Sequence, residues 1–371
     1  MQIKLMNVFI LCMTLILVLI FAEIGLRIFF PVEDIFIEND PLLGYRHIPN
    51  KEGYWMREVD EPNKIKINSK GLRDTEHEYE HKNNTFRIML LGDSYIQAFQ
   101  VKTEEMLSKK LETLLNSKLN TQQFEVINTG VQGYSTGIEQ LYFQTEGIKY
   151  DPDIVILYFF VGNDIFENYY KTASNSKPGW KIEQGKLIKI EPQVNKWYVM
   201  LRDHVLTKLH LCKLTRIAIN NMQIKSITNL ADKTGMLSGV YKPITHEEDK
   251  KEAMAITEQL LLNTHSYIQE LNKTFVVFLI PDGAIFYPDF SAEFVQENKD
   301  DVQKIIRFLN ISKIAYINPY AVYSTNINKS QEIYINKRGH WSKAGHEVSA
   351  QLTFDFLLNN KLIPIPAKIN K

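Results

Sequence analysis

Ile154 to Phe160 is an unbroken run of seven apolar residues, and it constrains the fold of this chain more than any other feature. A strand with no polar residue has no face to offer water, so it has to be buried on both sides. Related runs occur at Phe86 to Leu91, Phe124 to Asn128, Phe275 to Ile280 and, in shorter form, Ile314 to Ile317. Helical patterns separate them. Thr103 to Leu119 has Thr103 as its expected cap and Glu104 and Glu105 in the first turn. Further helices are expected at Thr136 to Gly147, Lys251 to Asn272, Asp300 to Asn310 and Ser342 to Leu358. Strands that alternate with helices predict an α/β fold around a parallel sheet.

The first 30 residues are of another kind. Leu5 to Ala22 carries no charge, and Ile24 to Phe30 extends the apolar character past Glu23. That length just reaches a membrane span. No small-x-small cleavage site is evident near Ala22, which favours an uncleaved signal anchor over a cleaved signal or a buried helix. Lys4 and the amino terminus place the N-terminal side in the cytoplasm and the remainder outside it.

The reading therefore divides the chain into an anchor at 1–30, a Pro-rich stalk or small subdomain at 31–85, and an α/β domain at 86–362. Within the stalk, Ile67 to Asp74 reads as a strand ending in a glycine turn. The alternation breaks at about 165–249, too long a stretch for a simple loop, so an insertion over the active-site face is expected, either a lid or an acceptor-binding element.

Composition excludes several function classes. The 43 basic and 43 acidic residues cancel, so nucleic acid is not an expected partner. Two cysteines, Cys12 and Cys212, give no disulfide framework. No CxxC, HExxH or Walker-type lysine loop occurs, so neither metal nor cofactor is expected.

Four short elements carry the candidate chemistry. Gly92-Asp93-Ser94-Tyr95 follows the Phe86 to Leu91 strand, which puts a serine at the carboxyl end of a strand. Read alone, Ser94 could equally be a helix cap. Asn128 to Gly133 has glycines at 130 and 133, which suit either close approach of a ligand to the backbone or a turn at positive φ. Gly162-Asn163-Asp164 follows the most apolar strand, and its asparagine amide is either an oxyanion donor or part of an Asx turn. His340 sits before a helix that Ser342 would cap, free to point into a cleft, whereas His346 falls inside that helix.

Taken in order, Ser94, Gly133, Asn163 and His340 resemble the four blocks of the SGNH hydrolase superfamily, the GDSL esterases. The resemblance covers about residues 86 to 360. It implies a flavodoxin-like, three-layer α/β/α fold with a parallel sheet of about five strands. It also implies that Ser94 is the nucleophile and His340 its base. The oxyanion hole would be built from the Ser94 and Gly133 N–H groups and the Asn163 side chain. The flanking segments resemble those of membrane-anchored bacterial members, and Gly339-His340-Trp341-Ser342 resembles the histidine block of those acting on acylated surface polysaccharides.

One part of that pattern is absent. Members of the family usually carry an aspartate two or three residues before the histidine, and here Arg338 and Lys337 occupy those positions. Three outcomes are open. Asp282 or Glu332 could serve as the acid, a backbone carbonyl could orient His340 in a dyad, or the site could be weak or lapsed. Asp93 is expected to fix the turn, not to supply the acid. The reading is an outward-facing serine esterase or O-acyltransferase, acting on O-acyl groups of a polysaccharide or surface glycoconjugate, most simply O-acetyl. A transferase of this kind would need a membrane partner as acyl donor. The alternative is a glycan-binding or assembly protein without turnover. A lipase would want a more apolar insertion than 165–249.

Overall fold

The computed structural model describes residues 2–29, 32–81, 84–119, 123–171, 177–192, 197, 201, 205–215, 246–287, 290–328, 332–335 and 339–364. Its N-terminal helix, Gln2–Phe29, contains a stretch from Met6 to Phe29 long and apolar enough to cross a membrane, and none of that stretch is buried against the rest of the protein. It is a candidate membrane anchor or signal sequence.

Residues 32–81 are more ordered than a stalk. Strands β1 (Ile37–Asp40) and β2 (Gly44–His47) form one antiparallel hairpin, and β3 (Glu52–Trp55) and β4 (Asn63–Lys66) form another. Phe36, Ile65 and Ile67 close a small core around Phe99, which lies just beyond the Ser94 turn. The stretch expected as a strand ending in a glycine turn, Ile67 to Asp74, has the turn, but the strand before it, β4, already ends at Lys66. Gly71 takes φ +82°, and the Asn68 carboxamide oxygen accepts from the Lys70 and Leu72 N–H groups. An asparagine that satisfies the backbone locally leaves it no ladder to join.

The five-stranded parallel sheet follows. Its strands are β5 (Thr85–Gly92), β6 (Gln123–Asn128), β7 (Ile154–Phe160), β10 (Thr274–Ile280) and β11 (Ala315–Ile317), in the order β11-β10-β7-β5-β6. Between β7 and β10 lies the antiparallel hairpin β8 (Gly179–Glu183) and β9 (Lys186–Ile190). Side chains alternate across the sheet as the pleat requires. Val155, Leu157 and Phe159 join one core, which is covered by the helices Thr136–Thr145, Glu247–Glu270 and Ala292–Ile311. Ile154, Ile156 and Tyr158 join the other, covered by Leu107–Leu119 and Lys343–Asn359. The result is the three-layer α/β/α arrangement.

Most expected helices are present with shifted ends. Thr103 does not cap the first of them. Thr103–Glu105 is a 3₁₀ turn, Met106 is extended, and the α-helix begins at Leu107. The helix expected from Asp300 starts eight residues earlier, where the Ser291 hydroxyl accepts from the Phe294 N–H. Ser342 caps the closing helix as expected, accepting from the Gly345 N–H at 3.2 Å. Much of the 165–249 insertion lies outside the described residues; within it, residues 205–215 are described and include the 3₁₀ turn Leu206–Lys208 followed by helical residues from 210 to 215. The β8–β9 hairpin is described, and it packs down onto the sheet's helices through buried Trp180.

Candidate active site

The site forms where β5, β6 and β7 end. Asp93 caps the short helix Ser94–Gln97, its Oδ1 accepting from the Tyr95 N–H at 2.9 Å, so its role is the turn-fixing one anticipated for it. That cap aims Ser94 outward. Gly92 has no room for a Cβ, which would lie 2.4 Å from Ile96. The end of β6 is tied to the same helix: the Asn128 amide donates to the Ile96 carbonyl at 2.8 Å, and its oxygen accepts from the Gly130 N–H. The two glycines of this loop differ in use. Gly130 lets two backbones meet, since a Cβ there would lie 2.3 Å from the Gln97 nitrogen. Gly133 takes φ +73°, conformationally accessible to glycine, and a Cβ there would lie 2.6 Å from the Tyr45 hydroxyl.

His340 meets Ser94. Its Nε2 lies 2.8 Å from Ser94 Oγ, across 246 residues of sequence. The imidazole packs on the Tyr95 ring at 5.2 Å, and the Tyr95 hydroxyl donates to the Gly339 carbonyl. Trp341, fully buried, anchors the other side of the loop. Arg338 and Lys337 lie outside the described residues.

The remaining ring nitrogen carries the main departure from the sequence-based expectations. His340 Nδ1 lies 2.5 Å from Glu58 Oε2. Glu58 belongs to the loop joining β3 to β4, outside the α/β region altogether. A carboxylate can only accept, so Nδ1 carries the proton and Nε2 is left to accept from the serine hydroxyl. Burial by itself would raise the Glu58 carboxyl, but the hydrogen bond and charge of His340, helped by Arg57, hold it below the usual carboxylate range. Glu58 is therefore ionised at neutral pH.

With both ring nitrogens occupied, neither Asp282 nor Glu332 orients His340 through a hydrogen bond. Asp282 caps the turn Gly283–Phe286 by accepting from the Ala284 N–H at 2.8 Å. The Glu332 main-chain carbonyl accepts from the Ser342 hydroxyl. The backbone-carbonyl dyad is displaced for the same reason.

Glu58 reaches the histidine because its hairpin docks beside the serine turn. Asn63 donates to the Phe99 and Val101 carbonyls at 2.9 and 2.7 Å, and Trp55 packs edge-on against Phe99. Glu58 itself sits at φ +56°, a left-handed conformation uncommon for a residue with a side chain. On the other side of the contact, Gly339 leaves space: a Cβ there would lie 3.1 Å from Glu58 Oε1. Nothing in the spacing of the sequence signals this pairing. The one local hint is the hairpin pattern itself, whose tip holds Arg57, Glu58, Asp60 and Glu61 with no reason to prefer one.

Asn163 faces a buried polar group. Its amide nitrogen lies 3.2 Å from Asp93 Oδ2 and 3.3 Å from Glu167 Oε1. Glu167 in turn pairs with Lys177, which also donates to the Gly133 carbonyl at 2.6 Å. Asp93, Glu139 and Asp164 are fully buried close by. Burial first, and then the repulsion of neighbouring carboxylates, raises all three carboxyls. Among the described residues no group of three or more His, Cys, Asp or Glu side chains has the geometry to hold a metal ion.

A serine whose hydroxyl faces an imidazole held by a carboxylate is the arrangement that turns a weak alcohol into a nucleophile. No protein-family model matches the chain, and no curated protein matches it in sequence. Solved structures are similar to it in fold. One is a catalytic mutant of an acetylxylan esterase from Geobacillus stearothermophilus, with 10% identity, 76% of this chain and 96% of that chain covered, and a TM-score of 0.44. Another is the acetyl xylan esterase AlAXEase, with 14% identity, coverage of 73% and 98%, and a TM-score of 0.43. A third is a lipase/acylhydrolase from Enterococcus faecalis, with 13% identity, coverage of 76% and 100%, and a TM-score of 0.42.

Proposed function

We propose that this protein is a serine ester hydrolase or O-acyltransferase with Ser94, His340 and Glu58 as its triad. The observation that carries the reading is the line of contacts from Ser94 Oγ through His340 to Glu58. In this reading Ser94 Oγ attacks the ester carbonyl carbon while His340 Nε2 takes its proton. Glu58 holds the Nδ1 proton and stabilises the imidazolium that forms. The Ser94 and Gly133 N–H groups stabilise the oxyanion, joined by the Asn163 amide once it turns from the Asp93 and Glu167 carboxylates it meets in this structure. His340 then protonates the departing alkoxide. Water, or an acceptor hydroxyl in a transferase, gives up a proton to His340 and attacks the acyl carbon, and His340 returns that proton to Ser94 Oγ as the acyl–serine bond breaks.

The substrate is proposed to be a short acyl ester, acetyl in the simplest case, on a glycan or similar surface polymer. Two features support this. The His340 and Glu58 side chains are each 31% exposed, so a bulky alcohol can approach. The floor behind Ser94 is charged and polar, with Asp93, Asn163, Glu167 and Lys177, which suits a short acyl group better than a lipid tail. We place the site outside the cytoplasm, tethered by the N-terminal helix. The non-catalytic alternative drew its force from a missing acid, and in this reading Glu58 supplies it.

The test is turnover of 4-nitrophenyl acetate by the full chain in detergent, beside Ser94→Ala and His340→Ala. Each substitution is expected to reduce kcat by at least about 10⁴-fold. A folded parent no faster than Ser94→Ala would remove the hydrolase reading.

A further inference from the structure

We infer that Lys177 is a positioning residue that ties together the two non-serine oxyanion donors, Gly133 and Asn163; the inference rests on the esterase reading above. Lys177 comes from the insertion and reacts with nothing in that mechanism. Its side chain is nevertheless 4% exposed, and that of Glu167, its partner, is 0% exposed. Burying a lysine and a glutamate together is costly unless their hydrogen bonds are well used. Here they are used across the site. Lys177 Nζ donates to the Gly133 carbonyl at 2.6 Å and to Glu167 Oε2, while Glu167 Oε1 accepts from the Asn163 amide at 3.3 Å. The contacts run in one line from the loop after β6 to the loop after β7.

Both ends of that line need support. Gly133 stands at φ +73°, and the peptide that carries its N–H is held through the Gln132 carbonyl by the Tyr45 hydroxyl at 2.8 Å, so the following peptide needs a holder of its own. Lys177 holds the Gly133 carbonyl. Asn163 has carboxylates on two sides, Asp93 and Glu167. An unpaired Glu167 would attract the amide more strongly and would also repel an oxyanion nearby. Lys177 neutralises it. Lys177 is itself held by the adjoining β8 strand, where Trp180 lies against Gly137 so closely that a Cβ there would be 2.4 Å from the indole. The insertion thus braces the site from beneath, a role the lid expectation did not include.

An oxyanion exists only in the transition state and the intermediate, so losing its support lowers kcat more than it raises KM. The experiment uses the full chain with 4-nitrophenyl acetate and compares the parent with Ser94→Ala, Lys177→Met, Lys177→Arg and the double variant Lys177→Met/Glu167→Gln. Lys177→Met is expected to lose about 10²-fold in kcat, the scale of a lost oxyanion donor, with KM nearly unchanged. The acid limb of the pH profile should stay where it is in the parent, because Ser94, His340 and Glu58 are untouched. Lys177→Arg should recover most of the rate, since it restores a buried cationic donor.

The double variant leaves no unpaired buried charge and keeps the test open if Lys177→Met alone fails to fold. It should still be slow, because the Gly133 carbonyl has lost its donor. A folded Lys177→Met or double variant with the parent's kcat overturns the inference while leaving the esterase reading intact. So does a rate loss that arrives with a displaced acid limb, which would signal general loosening of the triad. A parent no faster than Ser94→Ala overturns the esterase reading, and the brace falls with it.

Discussion

The loops ending β5, β6 and β7 and the hairpin loop between β3 and β4 border one site, and two of them touch its histidine through Ser94 and Glu58, but they get there by different physical routes. The first set is local. Each strand empties into a turn, and the parallel sheet places the three turns side by side, so Ser94, Gly133 and Asn163 converge by topology alone. The hairpin belongs to no layer of that sheet. It arrives through a small separate core of Phe36, Ile65, Ile67 and Phe99, through two hydrogen bonds from Asn63, and through Arg73, whose guanidinium grips the Gln97 and Val101 carbonyls at 2.9 and 2.5 Å. A sheet can supply a nucleophile and a donor loop from strand order. It does not specify which appended segment will supply the acid.

The largest effect should come from breaking that division at Glu58. Glu58→Gln keeps the shape but removes the charge that holds His340 Nδ1–H, and a loss of about 10⁴-fold in kcat is expected by analogy with other serine triads. Asp282→Ala and Glu332→Ala should leave kcat near the parent's. A steady-state assay of the three variants decides, and equal losses for Asp282→Ala and Glu58→Gln would return the acid to the sheet.

Gly133→Ala probes the sheet side. A side chain at φ +73°, with its Cβ 2.6 Å from the Tyr45 hydroxyl, is expected to cost about 1–3 kcal/mol of stability as well as activity. Denaturant melts read the stability directly. A variant as stable as the parent would mean the loop has another conformation available.

Two buried histidines, one in the N-terminal hairpins and one in the closing helix, stay neutral in the fold. Burial lowers His47, the last residue of β2, to about 4, and lowers His346, in the closing helix, to about 3. The unfolded chain takes up protons on both as pH falls below the ordinary 6.5, while the fold refuses them. Stability therefore falls with falling pH over the window from about 6.5 to 4, at up to about 1.4 kcal/mol per pH unit for each histidine. Melts of His47→Gln and His346→Gln across that window should each show a shallower slope. An unchanged slope in His47→Gln would mean that the hairpin region does not contribute to acid unfolding.

The smallest effect is expected at Arg57. Its pair with Glu33 at 2.9 Å and its stacking on Trp55 at 4.2 Å steady the hairpin tip, but the arginine side chain is 57% exposed. Arg57→Ala should cost under about 1 kcal/mol and lower kcat only slightly. A loss approaching that of Glu58→Gln would show that the hairpin tip needs this pair to present its acid.

Much of this molecule was legible from residue order. The apolar run at Ile154 to Phe160 implied a strand buried on both faces, and the alternation around it implied the parallel sheet. Short turns after strands marked Ser94, Gly133 and Asn163, because such signals are carried by a few adjacent residues. His340 was legible for the same reason, as a loop residue before a capped helix. The helix starts at Leu107 and Ala292 were less so, since Met106 ends a 3₁₀ turn through its extended backbone and the Ser291 hydroxyl caps a helix well before the apolar spacing marks one. Glu58 and Lys177 were not legible at all. Each is an ordinary charged residue in a polar segment, and each acquires its role only where a separately docked hairpin brings it to partners at least 10 residues away in sequence, 282 in the case of His340. A sheet's strand order follows from local patterns repeated along the chain. The docking of a hairpin on a loop depends on contacts between segments that carry no shared pattern, and only the folded chain brings them together.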